Sequence, residues 1–189
     1  METILFLGHT ELDGSLAASA LEGLRAARAL ADSLGGSSLV AGLVGRDVRA
    51  ATDGIAGCGA ARFLGVSGQD FSQSRYASDA AAAEALCKAA PATIVIAAGT
   101  SRWNRVLPGA AQRLGGRVDS HVTGLAVANG GPSVTRWYYR QRMEATLERT
   151  QRPWIILVEP GCHAPWRGEP GAASLELITV DLPEICRLT

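Results

Sequence analysis

The sequence predicts an α/β fold: a three-layer, mostly parallel, doubly wound sheet with antiparallel strands in its C-terminal part. Three observations support this prediction. Short apolar runs rich in β-branched residues alternate with helical patterns between residues 3 and 116. The clearest unit comprises residues 93–97, a Gly99-Thr100-Ser101 turn and a helical pattern that stops at Gly115-Gly116. From residue 118 onward, strand patterns follow one another with only short polar breaks.

The elements of the N-terminal half alternate regularly. The helix over residues 15–34 has the strongest pattern, because Ala20, Leu24 and Ala27 continue one apolar stripe and Ser15 can cap its start. Alternation of this kind predicts helices on both faces of a parallel sheet. The predicted strands cover residues 3–8, 38–44 and 61–66, and the predicted helices cover residues 15–34, 47–56 and 78–90.

The C-terminal part has a different character. Strands are predicted over residues 118–127, 134–139, 143–148 and 154–158, with a last strand over 175–182. No helical pattern of useful length separates the first four, so we expect a mixed or antiparallel extension of the sheet. The proline- and glycine-rich residues 160–171 are predicted as a loop. The chain is thus expected to form one domain over residues 1–182, followed by a polar tail over residues 183–189.

The composition excludes several classes of function. Lys+Arg and Asp+Glu both number 18, so no net charge would attract nucleic acid or an acidic membrane. The 4 cysteines lack metal-ligand spacing and indicate reduced thiols, and the 3 histidines do not predict a metal site. No leader precedes the first strand, and no apolar run approaches the roughly 18 residues of a membrane span. We therefore expect a soluble cytoplasmic protein without membrane insertion.

The turn Gly99-Thr100-Ser101 is the first candidate binding site. It follows a buried strand and opens a helix, where doubly wound sheets bind ligands and where free N–H groups suit a phosphate. The alternative is that Ser101 simply caps the helix. The sequence contains neither a G-x-G-x-x-G motif after the first strand nor a P-loop motif.

The second candidate is the arginine- and aromatic-rich stretch around Arg136. Alternation along a strand places Arg136 and Tyr138 on one face and Trp137 and Tyr139 on the other. Because the net charge is neutral, we interpret this stretch as a rim for an anionic partner or cofactor, or as a half-exposed edge strand, rather than as a nucleic-acid site. Together with Trp154, these aromatics predict a partner interface, unless they are buried against the last strand.

Cys162 and His163 suggest a nucleophile and its base. Adjacent side chains in an extended segment point to opposite sides, however, and no G-x-S-x-G motif accompanies them. We therefore predict no catalytic residue.

Several local patterns, taken together, resemble the N-terminal domain of the electron transfer flavoprotein alpha subunit. One is Glu11-x-Asp13-Gly14-x-Leu16 before an alanine-rich helix, and another is Asp119-Ser120-His121-Val122-Thr123-Gly124. The chain departs from the family's usual pattern at Gly109, where arginine is frequent, and at Gln141–Met143, where Gly-Asn-Ala is usual. The resemblance spans residues 3–182, and its matching stretches are residues 11–16, 105–114, 119–124, 134–139, 145–147 and 154–161.

The resemblance implies an adenine nucleotide alpha hydrolase-like fold and an electron-carrying component rather than a catalyst. It also implies a heterodimer with a beta-like subunit, which works with a dehydrogenase or quinone reductase of the same pathway. The chain ends near the point where the family's second, flavin-binding domain begins. It is therefore a naturally short relative, half of a split subunit or a one-domain piece, with FAD held mainly by a second domain or partner. The residues expected to contact a cofactor are Gly99, Thr100, Ser101 and Arg136.

Two classes of function remain open. The first is a scaffold or interaction subunit of an electron transfer flavoprotein. The second is a stand-alone module that binds an adenine nucleotide such as AMP at residues 99–101. The positions of Gly99, Gly109 and Gly115-Gly116 do not form the phosphate loop of nucleotide-binding members, so the sequence favours the interaction subunit.

Overall fold

Nine strands and four α-helices make up the fold of the computed structural model, which describes residues 1–182. The strands are β1 (Thr3–His9), β2 (Ser38–Gly45), β3 (Arg62–Ser67), β4 (Ile94–Ala98), β5 (Arg117–Ala128), β6 (Gly131–Tyr138), β7 (Met143–Glu148), β8 (Trp154–Val158) and β9 (Leu175–Leu177). The helices are α1 (Ala18–Ser33), α2 (Arg49–Gly54), α3 (Tyr76–Ala89) and α4 (Ser101–Arg113).

The strands form one sheet in the order β7-β6-β5-β8-β4-β1-β2-β3-β9. The strands from β5 to β9 in this order pair in parallel, and β6 and β7 continue the sheet with antiparallel pairing. The chain runs from β1 through β2 to β3 in one direction and then places β4 on the other side of β1. The topological switch point therefore lies between β1 and β4, and the three-layer prediction is confirmed.

Two apolar layers hold the helices against the sheet. On one face, Leu24 and Leu30 of α1 share a buried cluster with Phe6 of β1, and α2 contributes Ile55 beyond its last turn. On the other face, α3 and α4 share a second cluster with the alternate residues of the strands. Gly23 of α1 shows how closely the layers approach, because a Cβ there would lie 3.2 Å from the backbone nitrogen of Ala98.

The C-terminal strands form an antiparallel lobe, defined here as β5, β6 and β7. β5 is long and irregular: its register shifts after Asp119, where His121 has a positive φ of 55°. Strands rather than a helix occupy residues 134–147, as the sequence predicts. β8 then returns the chain to the sheet between β5 and β4, so the lobe is fixed to the parallel part through β8.

A buried carboxylate connects the lobe to the parallel sheet. Asp119 of β5 is 1% exposed and accepts hydrogen bonds from Arg136 (2.9 Å), Arg149 (2.7 and 2.9 Å) and the Trp154 indole (2.9 Å). Burial alone would raise the pKa of Asp119, but the donors from Arg149 and Trp154 hold it below its ordinary value. The stabilisation is therefore present above the ordinary pKa and is lost as the pH falls through the lowered one.

The segment after β8 crosses the α1 face and reaches the opposite edge of the sheet. The Trp166 N–H donates to the Leu21 carbonyl of α1, and the Gly171 N–H donates to the Asp53 carbonyl of α2. β9 then pairs with β3. The predicted last strand over residues 175–182 is thus only three residues long, and the predicted tail over 183–189 lies outside the described residues.

One helix start was predicted wrongly. α1 begins at Ala18 with Ala17 as its N-cap residue, and no side chain caps it. Ser15 instead donates its hydroxyl to Asp13 Oδ1 at 2.7 Å, which closes the preceding turn. Ser15 therefore stabilises the turn before α1 and does not cap the helix.

Replacing Asp119 with alanine is expected to lower the free energy of unfolding by about 2–4 kcal/mol, because it leaves partly buried guanidinium groups and the buried Trp154 indole without their carboxylate. Asp119→Asn, which keeps the shape, should destabilise in the same direction. Asp32→Ala, which removes an exposed ion pair with Arg28, should change it by less than about 1 kcal/mol. Urea denaturation measures all three, and equal effects of the two alanine variants would contradict the role of Asp119.

Candidate functional site

A cavity of about 390 Å³ opens at the switch point, where the carboxyl ends of β1 and β4 meet the start of α4. We call it the switch-point cavity. Doubly wound sheets bind their ligands in this crevice. Its polar lining includes His9, Glu11, Ser72, Ser74, Ser101 and Arg102.

The local sequence explains how α4 begins at this cavity. Thr100 has an extended backbone conformation and accepts the Trp103 N–H at 3.3 Å, so Thr100 caps the helix. The alternative that Ser101 is the cap is therefore wrong. Ser101 is the first helical residue and is exposed at the cavity wall. The backbone N–H groups of Ser101 and Arg102 belong to the first turn, where no intrahelical acceptor reaches them.

The buried Arg102 side chain makes its hydrogen bonds within the protein. Its Nε donates to Asp79 Oδ2 at 2.8 Å and its Nη2 donates to the Phe71 carbonyl at 3.0 Å. Asp79 is fully buried and also accepts the Arg75 backbone N–H at 3.2 Å. Arg102 therefore fixes the loop that carries Ser72 against α4, and its charge is balanced by Asp79.

His9 provides a neutral wall of the same cavity. Its Nδ1 is buried and lacks a hydrogen-bond partner within residues 1–182, and its ring centroid lies 5.8 Å from that of Trp103. Burial, followed by the nearby Arg102 charge, lowers the pKa of His9. Among the lining residues that the structure describes, Arg102 is the one cationic side chain, while Glu11 adds a carboxylate. The switch-point cavity thus offers N–H groups and hydroxyls without an unpaired cation.

A second cavity, of about 580 Å³, lies where β6 turns into β7. We call it the hairpin cavity; it is lined by His121 and residues 136–141. Arg136 donates from Nη1 to Asp119, and its Cζ lies 4.4 Å from the centroid of the Tyr138 ring. Its Nε is buried without a partner in the described part of the chain.

The turn at this cavity has an uncommon backbone. Tyr139, Arg140 and Gln141 have φ angles of 47°, 57° and 66°, so three successive non-glycine residues are left-handed. Tyr139 is 75% exposed. Backbone strain of this kind is concentrated at binding and catalytic sites, and here it holds an aromatic side chain in solvent.

Trp154 does not belong to the predicted exposed surface. It is fully buried in the core and donates to Asp119, below Arg136. The alternative, burial of the aromatics against the last strand, is also wrong, because β9 lies at the opposite edge of the sheet. What remains of the predicted surface is Arg136, Trp137 and Tyr139.

The structure groups the predicted cofactor residues into two places. Gly99, Thr100 and Ser101 lie together at the switch point, whereas Arg136 lies at the hairpin cavity. The two cavities share no lining residue. The sequence placed His9 at a strand edge only to discount it as a metal ligand, and it gave no cavity role to His9 or Glu11, although β1 ends at His9 and Glu11 follows two residues later. Position after a buried strand was the signal that could have identified them.

The remaining candidates, Cys162 and His163, line neither of these two cavities. Burial raises the pKa of the Cys162 thiol and lowers the pKa of His163, so neither group is activated. Within residues 1–182, no group of three His, Cys, Asp or Glu residues could hold a metal ion. The described helices are all too short or too polar to cross a membrane.

These features define a doubly wound α/β protein with a crevice at its switch point and an antiparallel lobe beside it. The model of the electron transfer flavoprotein domain family matches residues 4–185. The chain therefore belongs to the electron transfer flavoprotein domain family, which confirms the resemblance of its motifs. Membership indicates an electron transfer flavoprotein-like role, which implies a partner protein in electron transfer. Among curated proteins, no match to the chain is found.

The lowered pKa of His9 predicts a pH dependence of stability. As the pH falls below 6.5, the unfolded chain binds a proton that folded His9 resists, so stability decreases toward the folded pKa. His9→Gln should therefore show a shallower loss of unfolding free energy between about pH 7 and 5. Urea denaturation across this range tests it, and parallel curves for the two proteins would contradict the role of His9.

Proposed function

We propose that this chain acts as an electron transfer flavoprotein alpha-type domain that scaffolds a complex with a beta-like subunit. In that complex, electrons pass from a dehydrogenase to a quinone reductase or another acceptor of the same pathway in the cytoplasm. FAD is held mainly by a second domain or by the partner. The observation that carries this proposal is the family match over nearly the whole chain together with the exposed arginine- and aromatic-rich turn.

The surface around the β6–β7 turn supports a partner interface. Tyr139 is 75% and Met143 is 57% exposed, and Arg140 is exposed between them. Exposed aromatics with arginines are the residue types that dominate binding energy at interfaces. Since the turn is fixed through Arg136 and Asp119, a partner would meet a surface that is already ordered, which lowers the entropic cost of association.

The described residues do not fit the pyrophosphate of FAD at the switch point. A pyrophosphate carries negative charge and is usually bound by unpaired cations or by a glycine-rich loop. Here Arg102 is balanced by Asp79, and Glu11 would repel an anion. This mismatch supports a flavin site outside residues 1–182. We propose that the flavin lies in a crevice between this chain and the second domain or partner, with Arg136 on this chain's side.

The proposal makes a spectroscopic prediction. The chain purified alone should lack the visible absorption of bound flavin, whereas its complex with a co-expressed beta-like subunit should elute as a heterodimer by light scattering. A yellow chain with near-stoichiometric flavin would contradict the assignment of FAD to another domain or subunit. A chain that forms no complex with any beta-like subunit would contradict the interaction role.

A second function, binding of an adenine nucleotide at the switch point, is favoured by one observation. The switch-point cavity lies at the location where doubly wound sheets bind ligands, and Thr100, Ser101 and Arg102 at the start of α4 line it. The Ser101 hydroxyl adds a further donor, whereas the Ser72 hydroxyl already donates to the Gln69 carbonyl at 2.6 Å. Against this function stands the absence of an unpaired cation among the described lining residues.

Replacing Ser101 with glutamate tests the second function. A carboxylate at the start of α4 would face the nucleotide phosphate, so AMP affinity measured by calorimetry should fall about tenfold or more. Ser101→Ala is the matched control and should bind nearly as the wild type does. Unchanged affinity in Ser101→Glu would place any nucleotide site elsewhere.

A further inference from the structure

The hairpin cavity carries positive charge that its own lining does not balance. Arg136 and Arg140 line it, and Arg142 follows directly in the turn. None of its lining residues is an aspartate or glutamate. In the described part of the chain, the guanidinium groups of Arg140 and Arg142 have no hydrogen-bond or ion-pair partner, and both residues are exposed. A ligand that brings carboxylates would therefore find two available guanidinium groups.

Three carboxylates lie beside the lining residues: two are engaged, and the third belongs to exposed Glu144, which stands opposite Trp137 in the β6–β7 pairing. Asp119 accepts from Arg136 and Arg149 within the protein. Glu159 Oε2 lies 3.0 Å from His121 Nδ1, at the carboxyl end of β8. Asp119 and Glu159 therefore do not compensate Arg140 and Arg142, and within residues 1–182 Glu144 forms no ion pair with either arginine.

Aromatic and apolar surface lies next to these charges. Trp137 and Tyr138 line the cavity and are half-buried, whereas Tyr139 and Met143 are mostly exposed. The combination suits a ligand that has both acidic and apolar groups, because arginines bind carboxylates bidentately while aromatic rings cover apolar side chains. The left-handed turn keeps this arrangement fixed before any ligand arrives.

We infer that the hairpin cavity receives an acidic segment of a partner protein, in which Asp or Glu side chains alternate with apolar ones. The carboxylates pair with Arg140 and Arg142, and an apolar side chain packs on Trp137 and Tyr139. This inference rests on the proposed function only for the identity of the partner. A second copy of this chain does not fit, because an isologous contact at the turn would bring its arginines against one another.

The direct test uses a fluorescein-labelled peptide of alternating Glu and Leu, compared with the same peptide containing Gln in place of Glu. By fluorescence anisotropy at low salt, the wild-type chain should bind the acidic peptide and not the amide peptide. The double variant Arg140→Glu with Arg142→Glu should bind about tenfold more weakly or worse. The matched control, Arg25→Glu with Arg46→Glu, changes the net charge equally at two exposed positions outside the cavity and should bind as the wild type does.

Three results would overturn the inference: equal binding of both peptides, an equal loss in the control variant, or displacement of the peptide by AMP, which would identify a nucleotide as the occupant. Thermal denaturation of each variant verifies that it is folded. A second arm measures the complex with the beta-like subunit, which the turn variant should weaken and the control should not. If the wild-type chain binds no such subunit, the proposed function fails, while the peptide comparison still decides the inference.

Discussion

The carboxylate of Asp119 is the interaction on which the C-terminal half depends. It lies in β5, the strand that pairs in parallel with β8 and antiparallel with β6, at the start of its register shift. It binds side chains from β6, from the β7–β8 connection and from β8. Burying a carboxylate is unfavourable unless donors replace its water, and here three side chains do so. Arg136 both binds Asp119 and lines the hairpin cavity, so this cluster positions one wall of that cavity.

The two cavities differ in how their arginines are used. At the switch point, Arg102 forms an ion pair with Asp79 and holds the loop at Phe71. The cavity therefore contains hydroxyls, backbone donors and a neutral His9. At the hairpin, Arg136 is paired underneath while Arg140 stays exposed. A neutral net charge therefore hides a local imbalance, because the exposed guanidinium groups lie at the turn and not in the crevice that doubly wound folds generally use.

Periodicity predicted most of the elements but not their arrangement. Continuous apolar runs identified β1 to β4, because burial on both faces of a parallel sheet removes polar residues from the strand, and apolar residues at helical spacing identified the helices between them. The insertion of β8 between β4 and β5 was unpredictable, since strand order is a tertiary property. The donors to Asp119 lie 17, 30 and 35 residues from it, so no local pattern reveals the cluster. Buried Trp154 was consequently mistaken for surface, and Ser101 for a cap that Thr100 provides.

The left-handed turn at Tyr139–Gln141 is strained and needs support from the residues around it. Each left-handed non-glycine residue costs about 1–2 kcal/mol, and three occur in succession at Tyr139–Gln141. The exposed side chains of the turn bury too little surface to offset that cost. The offset must come from contacts beneath it, where Arg136 is bound to Asp119 and stacked on Tyr138, or from a partner that covers it. The same cluster that joins the lobe to the sheet thus maintains a strained, charged surface in a conformation that a partner can use.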